Sequence, residues 1–147
     1  MKMRDLIVDQ IRQEVRAMGL RELVTAEDVD DALKGGGTAL VAVNSVCGCA
    51  GGIMRPALRE ALARGPAPDA TATVFAGQDV EATARAREYL LPHPPSSPSL
   101  ALVRDGETLW FLPRSDIEGR QHRDVAGDIL RALDEHCRTR TPARGAR

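Results

Sequence analysis

The chain has 147 residues, a formal net charge of −1 from 20 basic and 21 acidic side chains, and three cysteines. One domain is expected at that length, large enough to bury roughly two-thirds of its unfolded surface and to fold without covalent staples. The charge balance leaves no basic footprint for nucleic acid, no apolar run approaches the roughly 20 residues of a membrane span, and three cysteines are too few, and odd in number, for a disulfide framework.

The start, Met1-Lys2-Met3-Arg4-Asp5, leads into a charged helical pattern and not into the apolar core of a signal peptide. A cytoplasmic protein is expected, in which exposed thiols stay largely reduced and a close cysteine pair is catalytic, redox-active or metal-binding more often than structural. Residues 138–147 carry Arg138, Arg140, Arg144 and Arg147 among Thr, Pro, Gly and Ala without an apolar period. They read as a disordered basic tail after a domain spanning 1–137.

Along that domain, Ile7, Ile11, Val15 and Met18 recur at helical spacing and stop at Gly19, which predicts a first amphipathic helix with a glycine cap. Thr25 with Asp28 resembles a capping box and opens a second helix that ends at Gly35-Gly36-Gly37. Thr38 to Val46 is apolar and β-branched throughout most of its length, as in a central parallel strand buried on both faces. Cys47-Gly48-Cys49 follows at once. A helix is predicted from about Cys49 to Arg64, with Pro56 bending it or ending its first segment.

After the turn cluster 65–69, Thr71 to Ala76 is a second short strand. Asp79 is placed to cap a helix over Val80 to Leu91, which the proline-rich loop 92–98 ends. Leu100 to Val103 and Thr108 to Leu112, joined by Asp105-Gly106, form a hairpin signal. A last helix runs from about Gln121 to Cys137, with Val125, Ile129 and Leu133 on one stripe.

The chemistry concentrates at the strand-to-helix junction. A sulfur placed there meets unpaired backbone N–H groups and the positive end of the helix dipole, both of which favour thiolate over thiol. The Cys47 pKa should therefore lie below the value of about 8.5 of a free cysteine. A bond between residues two apart closes a very small ring, and Gly48 is the residue best able to adopt the angles it needs. Such a bond is strained and easily reduced, so mixed disulfides with a small thiol compete well with it.

The order strand, helix, parallel strand, helix, hairpin, helix predicts an α/β fold: a thioredoxin-like mixed four-stranded sheet flanked by helices, with two additional N-terminal helices. In that fold the reactive cysteine ends the first core strand and a cis-proline begins the strand after the second core helix. Cys47 and Pro98 occupy those places, and a cis Ser97–Pro98 bond would expose the Ser97 backbone to an extended substrate.

The residues carry a closer likeness. Val43-Asn44-Ser45-Val46-Cys47-Gly48-Cys49-Ala50-Gly51, Arg55-Pro56-Ala57, Thr73-Val74-Phe75-Ala76-Gly77-Gln78-Asp79, Pro95-Ser96-Ser97-Pro98-Ser99, Pro113-Arg114 and Ile117-Glu118-Gly119 resemble the bacilliredoxin family over residues 3 to 137. The arginine-rich extension departs from that pattern. The resemblance implies a thiol–disulfide oxidoreductase that removes bacillithiol from S-bacillithiolated client proteins, with Cys47 as nucleophile and Cys49 in a secondary or resolving role. It implies no bound cofactor, bacillithiol as a thiol co-substrate, and a flavin-dependent bacillithiol disulfide reductase as the upstream partner. Gly48, Arg55, Ser97 and Pro98 are the candidates for holding substrate, Arg55 because it could face the site from the first turns of the helix.

Two other readings remain open at this point. A C-x-C pair can supply two thiolates to a metal, making a metal-binding or redox-sensing module without turnover, although Cys137, His93, His122 and His136 offer no second ligand pair. A general protein disulfide isomerase would use the same two cysteines. Cys137 reads as an apolar-stripe residue, the three histidines as solvated or capping groups, and Trp110 as core.

Overall fold

A computed structural model describes residues 2–137; the basic tail expected over 138–147 lies outside the described residues. The elements in order are α1 (Met3–Ala17), β1 (Arg21–Glu22), α2 (Ala26–Lys34), β2 (Thr38–Asn44), α3 (Arg55–Arg64), β3 (Ala70–Phe75), α4 (Val80–Tyr89), β4 (Ser99–Arg104), β5 (Glu107–Leu112) and α5 (His122–Cys137). A π-helical turn, Ala50–Met54, precedes α3, and a short 3-10 turn, Arg114–Asp116, follows β5.

The strands form one sheet in the order β1-β3-β2-β4-β5. β1, β3 and β2 run parallel, and β4 and β5 are antiparallel additions on the other side of β2. The sheet therefore has five strands where four were expected. β1 is two residues long, too short for a period-two signal, and is held by pairing to Ala72 and Thr73 of β3.

All seven residues of β2 are buried, as its composition requires. Leu40 and Ala42 face a core closed by Leu58 of α3 and Val125, Ile129 and Leu133 of α5. Ala39, Val41 and Val43 face the opposite core, with Val29 and Leu33 of α2 and Ala82 and Ala86 of α4. This alternation is what a strand covered on both faces produces. Thr38 opens the strand with its N–H donating to Asp69 Oδ2 at 2.8 Å and its hydroxyl donating to the same oxygen at 3.2 Å.

Several expectations need correction in detail. α1 buries Val8, Ile11 and Val15, whereas Ile7 is 42% exposed; the helical stripe is turned by one residue so that Val8 and Ile11 meet Phe75. Its end is as predicted: Gly19 has φ +89°, and the Leu20 N–H returns to the Val15 carbonyl at 3.0 Å, closing the helix through a left-handed glycine. The Thr25/Asp28 capping box is formed.

Asp79 stands at the N-cap of α4 but does not cap it. Its carboxylate instead receives two bonds from Arg12, at 3.0 and 3.1 Å, a bidentate ion pair that occupies both of its oxygens. The hairpin turn has positive φ at both Asp105 and Gly106, the geometry that matches strand twist in a two-residue loop. Trp110 is only half-buried, leaning on the α3/α5 core.

Candidate active site

β2 delivers the chain from the middle of the sheet to its end, and the helical turn starts at Gly48, directly after Cys47. Cys47 and Cys49 are both partly exposed and both free thiols. The Ser45 hydroxyl lies 3.1 Å from the Cys47 sulfur and donates to it. Burial pushes the Cys47 thiol up, but the Ser45 hydroxyl, the backbone N–H groups of Ala50 and Cys49 and the positive charge of Arg114 outweigh it. The net pKa is lowered from the ordinary thiol value, as expected of a sulfur at a helix start.

Pro56 lies in the first turn of α3, where its missing N–H costs least. The predicted bend is a π turn, Ala50–Met54, immediately before it. This widened turn alters which way the residues after it face. Arg55 points back toward the end of β2 and toward α1. It is 5% exposed, and its Nη1 donates to Asn44 Oδ1 at 2.9 Å and to the Ser45 carbonyl at 3.2 Å. Its Nε donates to Glu14 Oε1 of α1 at 2.9 Å. Arg55, expected among the substrate-holding residues, thus lies behind the cysteine loop, against Asn44, Ser45 and Glu14.

The cation at the cysteines is Arg114, which composition and spacing did not single out. Its Nη2 approaches Cys49 Sγ at 3.8 Å, its Nε donates to Glu118 Oε2 at 3.1 Å, and its Nη1 donates to the Ser97 carbonyl at 3.3 Å. Glu118 Oε2 is itself 4.0 Å from Cys49 Sγ. Arg114 thus joins the loop before β4 to the cysteine turn. The Ser97–Pro98 bond is cis, as the fold analogy anticipates, and Leu91–Pro92 is cis as well. Pro98 is buried and Ser97 half-buried.

Gly48 is exposed, and a Cβ there would meet no atom within 4 Å and no left-handed backbone. Beyond Ser96, whose Oγ accepts the Arg114 N–H at 2.7 Å, lies a groove of about 430 Å³ lined by His93, Pro94, Pro95, Phe111 and Pro113. Cys137 is buried, with its Sγ 3.8 Å from Thr38 Oγ1, as its stripe predicted. His93 stacks on Phe111 at 4.4 Å. Among the described residues no group of three or more His, Cys, Asp or Glu side chains is placed to hold a metal ion, and no helix is long and apolar enough to cross a membrane.

Solved structures share the fold. A thioredoxin of Malassezia sympodialis superposes with a TM-score of 0.56 at 14% identity, covering 80% of this chain and 90% of that one. A thioredoxin of Fasciola hepatica gives 0.54 at 19% identity, covering 80% and 99%. They define the class of fold, a thioredoxin-like mixed sheet flanked by helices.

A family model described as disulphide isomerase matches residues 3–137. A bacilliredoxin of Geobacillus kaustophilus is 53% identical over 131 residues, 89% of this chain and 90% of that protein. A bacilliredoxin of Staphylococcus aureus is 50% identical over 134 residues, 91% and 92% of the two chains. The chain belongs to the bacilliredoxin family and is a thiol–disulfide oxidoreductase.

Proposed function

We propose that this oxidoreductase removes bacillithiol from mixed disulfides on client proteins, with Cys47 as the attacking thiol. The Cys47 thiolate attacks the bacillithiol sulfur of the mixed disulfide; the S–S bond to the client breaks, and the client cysteine leaves as a thiolate that takes up a proton. Cys47 now carries bacillithiol in a new disulfide, so no net electrons have been lost. In one outcome a second bacillithiol thiolate attacks the adduct, giving bacillithiol disulfide and free Cys47. In the other, Cys49 attacks Cys47 Sγ, releasing bacillithiol and leaving a Cys47–Cys49 disulfide. Either product holds the two electrons' worth of oxidation taken from the client; two bacillithiol thiols return the Cys47–Cys49 disulfide to free thiols and leave as bacillithiol disulfide, which in both outcomes a flavin-dependent bacillithiol disulfide reductase reduces.

The observation that carries this reading is the partly exposed Cys47 sulfur with the Ser45 hydroxyl at 3.1 Å and a helix start beneath it. Ser97 and Pro98 serve as the wall against which the mixed disulfide lies, Gly48 leaves its approach open, and Arg114 supplies the positive charge. The family model's description favours a second reading, exchange among disulfides of a misfolded protein. Turnover of a client bearing one bacillithiol mixed disulfide, set beside reactivation of a scrambled-disulfide protein, decides between them. Release of bacillithiol from the first with little reactivation of the second is expected. The reverse ranking would replace the proposed function with isomerisation.

A further inference from the structure

Arg55 sits 5% exposed between α1 and the cysteine loop, an unusual place for a permanently charged group unless it is fully engaged. Its bonds have a pattern. Nη1 holds both the Asn44 side-chain oxygen and the Ser45 carbonyl, and the Ser45 N–H donates to the same Asn44 oxygen at 2.9 Å. Both ends of the Ser45 residue are thereby fixed. Its hydroxyl is the group that donates to Cys47 Sγ, and it also accepts the Cys47 N–H at 3.4 Å.

On the far side, Glu14 supplies the countercharge, one oxygen to Arg55 Nε and the other to Arg59 Nη2, each at 2.9 Å. Gly51 completes the cradle, since a Cβ there would lie 2.9 Å from Arg55 Nη2, closer than a pinned guanidinium allows. Asn44 is 1% exposed and its Nδ2 has no partner, so this buried amide is used through its oxygen, and that oxygen serves Ser45 and Arg55.

We infer that Glu14 and Arg55 are positioning residues for Cys47: the ion pair they form between α1 and the start of α3 locks Ser45 so that its hydroxyl is aimed at the sulfur. The first added helix thus contributes to thiol chemistry and not only to the core. This rests on the reading of Cys47 as the attacking thiol. The charged and titratable groups around the sulfur are Arg114 and Glu118 from beyond β5, Cys49 on the same turn, and Arg55, Glu14 and Arg59 behind the loop. Arg114 acts on Cys47 directly through its charge; the Glu14–Arg55 pair acts through Ser45.

The test is the pH dependence of Cys47 alkylation in the reduced full-length protein, which needs no bacillithiol and so succeeds or fails independently of the proposed turnover. Glu14→Gln and Gly51→Ala should slow alkylation roughly three- to tenfold at mildly acidic pH, with rates converging on the parent where the thiol is ionised in every variant. Ser45→Ala should do the same, and adding Glu14→Gln to it should change nothing further. An unmoved profile in Glu14→Gln with lowered thermal stability would assign the pair a purely structural role and overturn the inference. So would an additive effect in the double variant, which would mean that Glu14 acts by a route other than Ser45. Glu14 is partly exposed, so its variant remains informative should Gly51→Ala fail to fold.

Discussion

The Arg114 guanidinium donates to the Ser97 carbonyl at 3.3 Å while its other arm rests 3.8 Å from Cys49 Sγ. One planar fork thus spans from the segment after β5 to the loop before β4 and to the cysteine turn, with Glu118 fixing its third edge. A lysine could supply the charge but not this geometry.

Arg114→Gln should therefore lower the alkylation rate of Cys47 at low ionic strength and acidic to neutral pH. The difference should shrink as salt screens the exposed guanidinium. Arg114→Lys should fall between the two. Equal rates for Arg114→Gln and the parent at low salt would contradict the charge role given to this residue.

Cys47→Ser should abolish release of bacillithiol from a client, and Cys49→Ser should retain a measurable route through free bacillithiol. Peptide mapping by mass spectrometry on the parent protein should find the adduct on Cys47. Residual turnover in Cys47→Ser, or an adduct residing mainly on Cys49, would reverse the assigned roles.

Cys47 and Cys137 are shifted in opposite directions. Burial pushes the Cys137 thiol up, against weaker opposition from Thr38 and Arg104, while Cys47 is lowered. Native protein at neutral pH should accordingly label at Cys47 and leave Cys137 unreacted until it is unfolded. A pKa depressed by folding stabilises the fold above the unfolded thiol value and loses that contribution as pH falls through the folded one. The stability difference between parent and Cys47→Ser should thus grow in the parent's favour with rising pH and level off above about 8.5; urea unfolding under reducing conditions reads it, and a pH-independent difference would refute it.

Gly37 and Gly48 make a matched pair. Gly37 has φ +77°, and a Cβ there would run into the Asp69 carboxylate that holds Thr38. Gly37→Ala should cost about 1–3 kcal/mol in denaturant unfolding. Gly48→Ala, in open space without a left-handed backbone, should stay within about 0.5 kcal/mol of the parent in the reduced state. A large loss in reduced Gly48→Ala would show a conformational demand at that position that the reduced form does not display.

The sheet core was legible because β2 is apolar on both faces and the Asp105-Gly106 turn has a strong local signature. The cysteines were legible for the same reason: they interrupt that strand at its end. Arg114 was missed because spacing along the chain says nothing about it, yet strand pairing does. Leu100 lies opposite Leu112 and Val43 opposite Ser99; continuing both ladders past their ends brings Arg114 toward Pro98, and Pro98 toward Asn44. The partners of Arg55 were not legible because a π turn separates it from Cys49. One added residue in a turn rotates everything after it by roughly 100°, and no local residue pattern announced it. β1 has only Arg21 and Glu22 to show, and its strand character comes entirely from its neighbour.

That two-residue β1 has a consequence for how molecules of this protein meet extended chains. A sheet can be lengthened only at its margins, by a strand long enough to offer a run of N–H and C=O groups. On the β3 side the margin is Arg21–Glu22, both charged and already followed by Leu23 returning its N–H to Thr73. The six-residue β5 is the other margin, and it carries Leu109, Trp110 and Phe111 in succession. Among the described residues, an added strand is therefore offered the β5 side, where Leu109 already bulges out of the ladder between Thr108 and Trp110 and interrupts the run that such a strand would need.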